Sequence, residues 1–170
     1  MIHSNIIQIL EITSSQIRSY KEFLSIGLTG DEENFRISPN DDANDQFPTK
    51  DTESSFTLGA YIGDELAGVV SFSRDGDERE KLRHKGTLFR MYVSADHRGK
   101  GIGKILVDEL LRRVRNNSNI EQVNLTVIAN NNAAKSLYQK FGFETFGVEI
   151  NAIKWKGKYF DEEQMVLRVK

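Results

Sequence analysis

Arg98-Gly99-Lys100-Gly101-Ile102-Gly103-Lys104 lies between an apolar stretch at residues 88–93 and an amphipathic one at 102–114. The first reads as a strand and the second as a helix, so the glycine run occupies a strand-to-helix turn. Alternate glycines let backbone N–H groups approach an anion without interference from Cβ, and the helix that follows turns its positive dipole end toward that anion. The stretch reads as a phosphate cradle, and a phosphorylated cofactor is the expected ligand.

Two common phosphate loops fail on spacing. A dinucleotide fingerprint needs Gly-x-Gly-x-x-Gly, whereas the glycines here are Gly99, Gly101 and Gly103. A P-loop needs Gly-Lys-Ser/Thr at its end, and Lys104 is followed by Ile105. Nucleotide or nucleic-acid binding is the weaker reading for a second reason: the net charge of −2 offers polyanions no general attraction.

Working outward, residues 85–93 read as a strand, 102–116 as a helix, 122–128 as a strand and 132–141 as a helix. Strand-helix-strand order demands a crossover, hence a locally parallel pair with helices packed on the sheet. Residues 56–62 and 66–73 form a hairpin around Gly63-Asp64-Glu65, and residues 74–83 form a charged loop. A first strand covers 5–13. A helix capped by Ser14 or Ser15 follows, with Ile17, Tyr20, Phe23, Leu24 and Leu28 as its apolar positions and Gly27 and Gly30 ending it. Residues 31–55 lose all periodicity and read as a loop with one helical turn near 31–35. Strands at 143–153 and 164–169 close the chain around Lys156-Gly157-Lys158. The expected fold is a mixed α/β sheet, mostly antiparallel, in which the glycine loop sits at the carboxyl end of a strand.

A chain of 170 residues, 38% apolar and 28% charged, is expected to form one domain over 1–170 with its own core. No apolar run is long enough to span a membrane, and the first ten residues lack a basic segment followed by an apolar one, so a cytoplasmic protein is expected. Cysteine is absent, which excludes disulfides and thiolate metal sites; no metal is expected.

Arg98-x-x-Gly101-x-Gly103 resembles the acetyl-coenzyme A pyrophosphate loop of the GNAT N-acetyltransferase superfamily. A second stretch, Val127-x-x-x-Asn131-x-x-Ala134-x-x-Leu137-Tyr138-x-x-x-Gly142-Phe143, resembles that family's other signature with every element at its usual spacing. Together they cover residues 85–145. The resemblance implies acetyl-CoA as cosubstrate, a primary amine as acceptor, and a central parallel strand pair splayed at the cofactor site with helices on both faces. It also implies that the main chain at Met91 and Val93 binds pantetheine, with Arg98, Gly99, Lys100, Gly101, Gly103 and Lys104 on the phosphates and Asn131 and Ala134 beside the pantetheine arm. Without cysteine, acyl transfer is expected to pass directly to the acceptor.

Asn131, Ala134, Gly142 and Phe143 each also have an ordinary structural reading, as helix cap, tight packing, helix terminator and core anchor. Tyr138 carries the expected chemistry. A phenol with a pKa near 10 keeps its proton at neutral pH and can give it to a departing thiolate, whose conjugate acid is near 8.5. The base is less legible: the fourth strand holds no carboxylate, leaving Glu149, His84, Glu144 or a water chain, with Glu149 first. Carboxylates outnumber cations over residues 31–55, which would suit a cationic acceptor such as a polyamine, although a solvated loop explains them as well. Either a monomer or a homodimer joined through the final strand pair fits the sequence, and a non-catalytic acetyl-CoA-binding sensor is the alternative function.

Overall fold

The structure, a computed structural model, describes residues 6–170; Asn5, at the start of the expected first strand, lies outside them. Its elements are β1 (Ile7–Ile12), α1 (Ile17–Gly30), α2 (Pro39–Asn44), β2 (Ser55–Ile62), β3 (Glu65–Arg74), β4 (Lys85–Val93), α3 (Ile102–Asn116), β5 (Gln122–Ile128), α4 (Asn132–Lys140), β6 (Glu144–Trp155) and β7 (Lys158–Arg168). The strands form one seven-stranded sheet in the order β1-β2-β3-β4-β5-β7-β6. Every neighbouring pair is antiparallel except β4 and β5.

That parallel pair is short. Lys85, Gly86 and Thr87 pair with Gln122, Val123 and Asn124, and beyond Thr87 the two strands part. A bulge begins where they part: Val69 faces Tyr92 and Ser71 faces Phe89, so Arg90 and Met91 together oppose Val70. Arg90 takes a left-handed φ of 50° there, a conformation costly for a residue with a Cβ. Arg90 Nη2 lies 2.8 Å from Asp45 Oδ2 and Nη1 lies 3.4 Å from Asp42 Oδ1, so ion pairs with the α2 segment hold the kink.

Alternation along β3 divides the core between two faces. Val70 and Phe72 pack with Leu88 and with Ile102, Leu106 and Leu110 of α3, while Val69 and Tyr92 pack with Tyr20, Leu24 and Leu28 of α1. Helices thus cover both faces. β6 is an edge strand whose Phe146, Val148 and Ile150 point into solvent. No helix among the described residues is long and apolar enough to cross a membrane.

Four sequence expectations need correcting. The cap preceding α1 is Thr13, whose N–H donates to Gln16 Oε1 at 3.0 Å, and a short 3-10 turn of Ser14–Gln16 leads into the helix. Gly27 does not end α1; it lies inside, where an added Cβ would come within 2.7 Å of the Tyr92 ring. In the segment 31–55 the expected helical turn is present, as a 3-10 turn at Glu32–Asn34, but the helix α2 was not expected. β7 begins at Lys158, six residues before the expected start, because Lys156 and Gly157, both at positive φ, make a two-residue hairpin turn.

Gly27 yields a stability prediction. Alanine there gains about 1 kcal/mol of helix propensity but overpacks against a rigid ring, which costs about 1–3 kcal/mol. Gly27→Ala is expected to lower the melting temperature, and an unchanged or raised value in thermal unfolding would show that Tyr92 moves aside freely.

Candidate active site

Parting β4 from β5 opens the sheet at the carboxyl end of β4, and two connected hollows occupy the gap. A cleft of about 580 Å³ runs from the glycine loop to Met91, Val93 and α4, and a chamber of about 350 Å³ continues it between β4 and β5 down to Tyr138. Asn34, Phe35, Met91, Asn131, Ala134 and Leu137 border both.

The loop forms the cleft's polar end. Gly99 and Gly101 take φ of 74° and 77°, conformations that favour glycine, and the space where a Cβ would project is open at both. Gly101 also caps α3, so the free N–H groups of its first turn face the cleft. Gly103 serves differently: a Cβ there would come within 3.1 Å of Met91 and 3.2 Å of Leu137, so this glycine keeps the passage between β4 and α4 open. Arg98 hydrogen-bonds Val93 O through Nε at 3.2 Å and pairs with Asp31 through Nη2. Lys104 lines the cleft. Lys100 does not border it; its Nζ reaches Asp96 O at 3.3 Å.

At the start of α4, Asn131 Oδ1 accepts the Ala134 N–H at 3.2 Å, fulfilling the cap role its position suggests. Tyr138, about two helical turns further, is 5% exposed and packs edge-on against Phe143 at 5.8 Å. Its hydroxyl has no hydrogen-bond partner among the described residues, and burial pushes its pKa well above the usual tyrosine value. A neutral phenol with an uncommitted proton therefore borders the chamber.

Glu149 is not brought to either hollow. It is exposed on β6, directly opposite Glu162 of β7. Glu162 is the residue that sequence reading passed over: it is 1% exposed, and Arg36 Nε lies 2.8 Å from its Oε1. Burial raises its pKa, Arg36 works against that, and Glu149 adds to it. The signal was obscured because Asp161-Glu162-Glu163 reads as a solvated charge run. Glu144 lies exposed on β6 and His84 lies among Arg74, Arg83 and Glu121, away from both hollows.

Carboxylates of the acidic segment are largely engaged with cations or N–H groups. Asp31 meets Arg98, Glu32 meets Lys156 at 2.8 Å, Glu33 meets Lys158 at 3.5 Å, and Asp41 accepts the Ser38 N–H at 2.8 Å. The Glu32 and Glu33 contacts tie the segment to the tip of the β6–β7 hairpin. Between the two lies an outer hollow of about 280 Å³ that shares Phe35, Arg36 and Ile37 with the inner chamber.

Comparison with known proteins agrees with this geometry. The model of the Acetyltransferase (GNAT) family matches residues 19–143. Spermine/spermidine N(1)-acetyltransferase of Bacillus subtilis (strain 168) is 28% identical over 91 residues, 53% of this chain and 60% of that protein. The chain spans about half the length of the curated relatives it matches. Among solved structures, the acetyltransferase of the GNAT family from Streptococcus pneumoniae superposes with a TM-score of 0.82 at 22% identity, over 97% of this chain and 100% of that one. A Salmonella typhimurium structure solved with its cofactor acetyl-CoA gives 0.76 at 16% identity, over 97% and 95%. At these identities the likeness to solved structures is one of fold.

Proposed function

The chain belongs to the GNAT acetyltransferase family, and from that premise we propose that it transfers the acetyl group of acetyl-CoA directly to the primary amine of a small molecule. The observation that carries this reading is Tyr138: an unpartnered, protonated phenol borders a chamber continuous with an open glycine cradle. A module that only bound the cofactor would have no use for such a proton donor.

The residues present fit acetyl-CoA. The N–H groups at the start of α3, with Arg98 and Lys104, suit the pyrophosphate. The parted edge of β4 offers main-chain groups at Met91 and Val93 to the pantetheine amides, and the gap kept by Gly103 admits the arm. When bound, acetyl-CoA supplies the thioester carbon that accepts the amine. Tyr138 would donate its proton as the C–S bond breaks and regain one from solvent water, so that the thiol leaves neutral. The new C–N bond leaves the amine nitrogen with a surplus proton. Glu162, behind Arg36 and outside the walls of both hollows, would take it through water and release it to solvent past Glu149, its burial making it a better base than an ordinary carboxylate. Met91 and Val93 hold the acyl group in place while both protons move.

Thiol release from acetyl-CoA, followed over a panel of amino acids, polyamines, aminoglycosides and short peptides, tests this reading. A cysteine-free chain adds no background. Saturable release with at least one small amine is expected. If no amine raises release above the amine-free rate while acetyl-CoA still raises the melting temperature, the protein is a cofactor-binding sensor and the enzymatic reading falls.

A further inference from the structure

Charges along the acceptor path are unevenly committed. In the outer hollow, Glu32 is held by Lys156 and Asp41 by the Ser38 N–H, and the pKa of each lies below the usual carboxylate value for that reason. Lys156 offsets the charge of Glu32, whereas Asp41, at the far side of the hollow in the first turn of α2, is engaged only by a neutral N–H. Among the described residues the inner chamber has no carboxylate in its wall; its charged groups are Arg36 and Arg90. Arg90 is 13% exposed in its side chain and is occupied by Asp42 and Asp45.

Arg36 differs. Its Nε lies 2.8 Å from the buried Glu162 Oε1 as an ion pair, while its side chain is 65% exposed and makes no other ion pair among the described residues. The two Nη groups are therefore the uncommitted end of an anchored fork, at the wall shared by the outer and inner hollows. A guanidinium held from behind by a buried carboxylate is pre-organised to take a second, planar anion in two parallel hydrogen bonds. Phe35, Ile37, Phe89 and Val127 make the rest of that region apolar.

From this we infer the class of acceptor: a zwitterionic amine, such as a free amino acid with an apolar side chain, whose carboxylate is bound by Arg36 while its amine enters the chamber toward Tyr138. The inference rests on the acetyltransferase reading above and narrows it. A polyamine meets the opposite environment: the inner chamber offers its cations no carboxylate, a guanidinium stands at the shared wall, and Asp41 is the one carboxylate of the outer hollow without a cationic partner among the described residues.

Matched acceptors test it: leucine, phenylalanine and methionine against their decarboxylated amines and their amides, with spermidine alongside. Wild-type kcat/KM is expected to favour each amino acid over its decarboxylated amine by about tenfold or more, the lower end for a charge-assisted pair because Arg36 is solvent-exposed. In Arg36→Gln that ratio is expected to shrink to about twofold, with Arg36→Lys intermediate because a point charge replaces the fork. The ratio separates an anchor from a structural role: misfolding or loss of the Glu162 base slows both acceptors alike and leaves it unchanged. An unchanged ratio in Arg36→Gln overturns the inference, as does spermidine or a decarboxylated amine matching the amino acids in wild type. Either result leaves the acetyltransferase reading standing, whereas no release with any amine removes both.

Discussion

Tyr138→Phe is expected to lower kcat by about a hundredfold or more, the usual range for removing a general acid, while acetyl-CoA raises the melting temperature as it does in wild type. Only the hydroxyl is lost. The ring stays against Phe143, so the packing that holds α4 to the sheet survives. Because the hydroxyl has no hydrogen-bond partner among the described residues, its removal strands no buried group, and apparent stability should hold or rise slightly. The wild-type pH profile adds a check. Burial lifts the pKa of Tyr138 above the ordinary range, so activity should show no loss from tyrosine deprotonation up to pH ~10. A Tyr138→Phe enzyme with wild-type kcat would show that the thiolate leaves unassisted.

Gly101→Val is expected to remove cofactor binding. Position 101 sits at φ 77° and caps α3, so a β-branched residue would be strained by about 1–3 kcal/mol and would push its side chain into the open space before the helix N-terminus. The chain can escape that strain only by turning the loop, which swings the N–H groups away from the phosphates. Acetyl-CoA affinity should fall by about a hundredfold if two such charge-assisted bonds are lost. Titration calorimetry or the cofactor-induced rise in melting temperature would measure it. Wild-type affinity in a folded Gly101→Val variant would place the pyrophosphate elsewhere on the molecule.

The fold was legible wherever local pattern and tertiary role coincide. β4 and β5 were delimited to the residue because apolar runs end at clear polar boundaries, and α3 because its glycine start and amphipathic stripe agree. Legibility failed where a residue's reason lies in another element. Gly27 reads as a helix stop along the chain, and only the Tyr92 ring, from a strand more than sixty positions later, shows that it is a point of close contact. α2 had a local signature, Ser38-Pro39 followed by Asp41, which is a capping box with proline in the first turn. The surrounding acidic composition drowned it. β7 was shortened for the same reason, since Asp161, Glu162 and Glu163 do not alternate as a half-buried strand should.

At the candidate site, the placement of the glycine loop and of the Asn131 to Tyr138 stretch was readable because both depend on backbone geometry and fixed spacing. The electrostatics were not. Counting carboxylates over residues 31–55 suggests an acidic field, yet their partners Arg98, Lys156 and Lys158 come from distant positions, and only the folded chain brings them together. Glu162 and Arg36, 126 positions apart, make their pair by the same route.

The seam between β4 and β5 has a mechanical meaning. The sheet is two leaves, β1 to β4 and β5 with β7 and β6, bound along a spine of only three residue pairs at one end. Both hollows of the candidate site lie between the open pages. At the spine the leaves meet through Lys85, Gly86 and Thr87 alone. Gly86 leaves so little room there that a Cβ would fall 2.3 Å from the Phe72 ring. Lys85 and Gly86 border neither hollow, so a change at the binding that holds the leaves together would be read at the page edge without touching it.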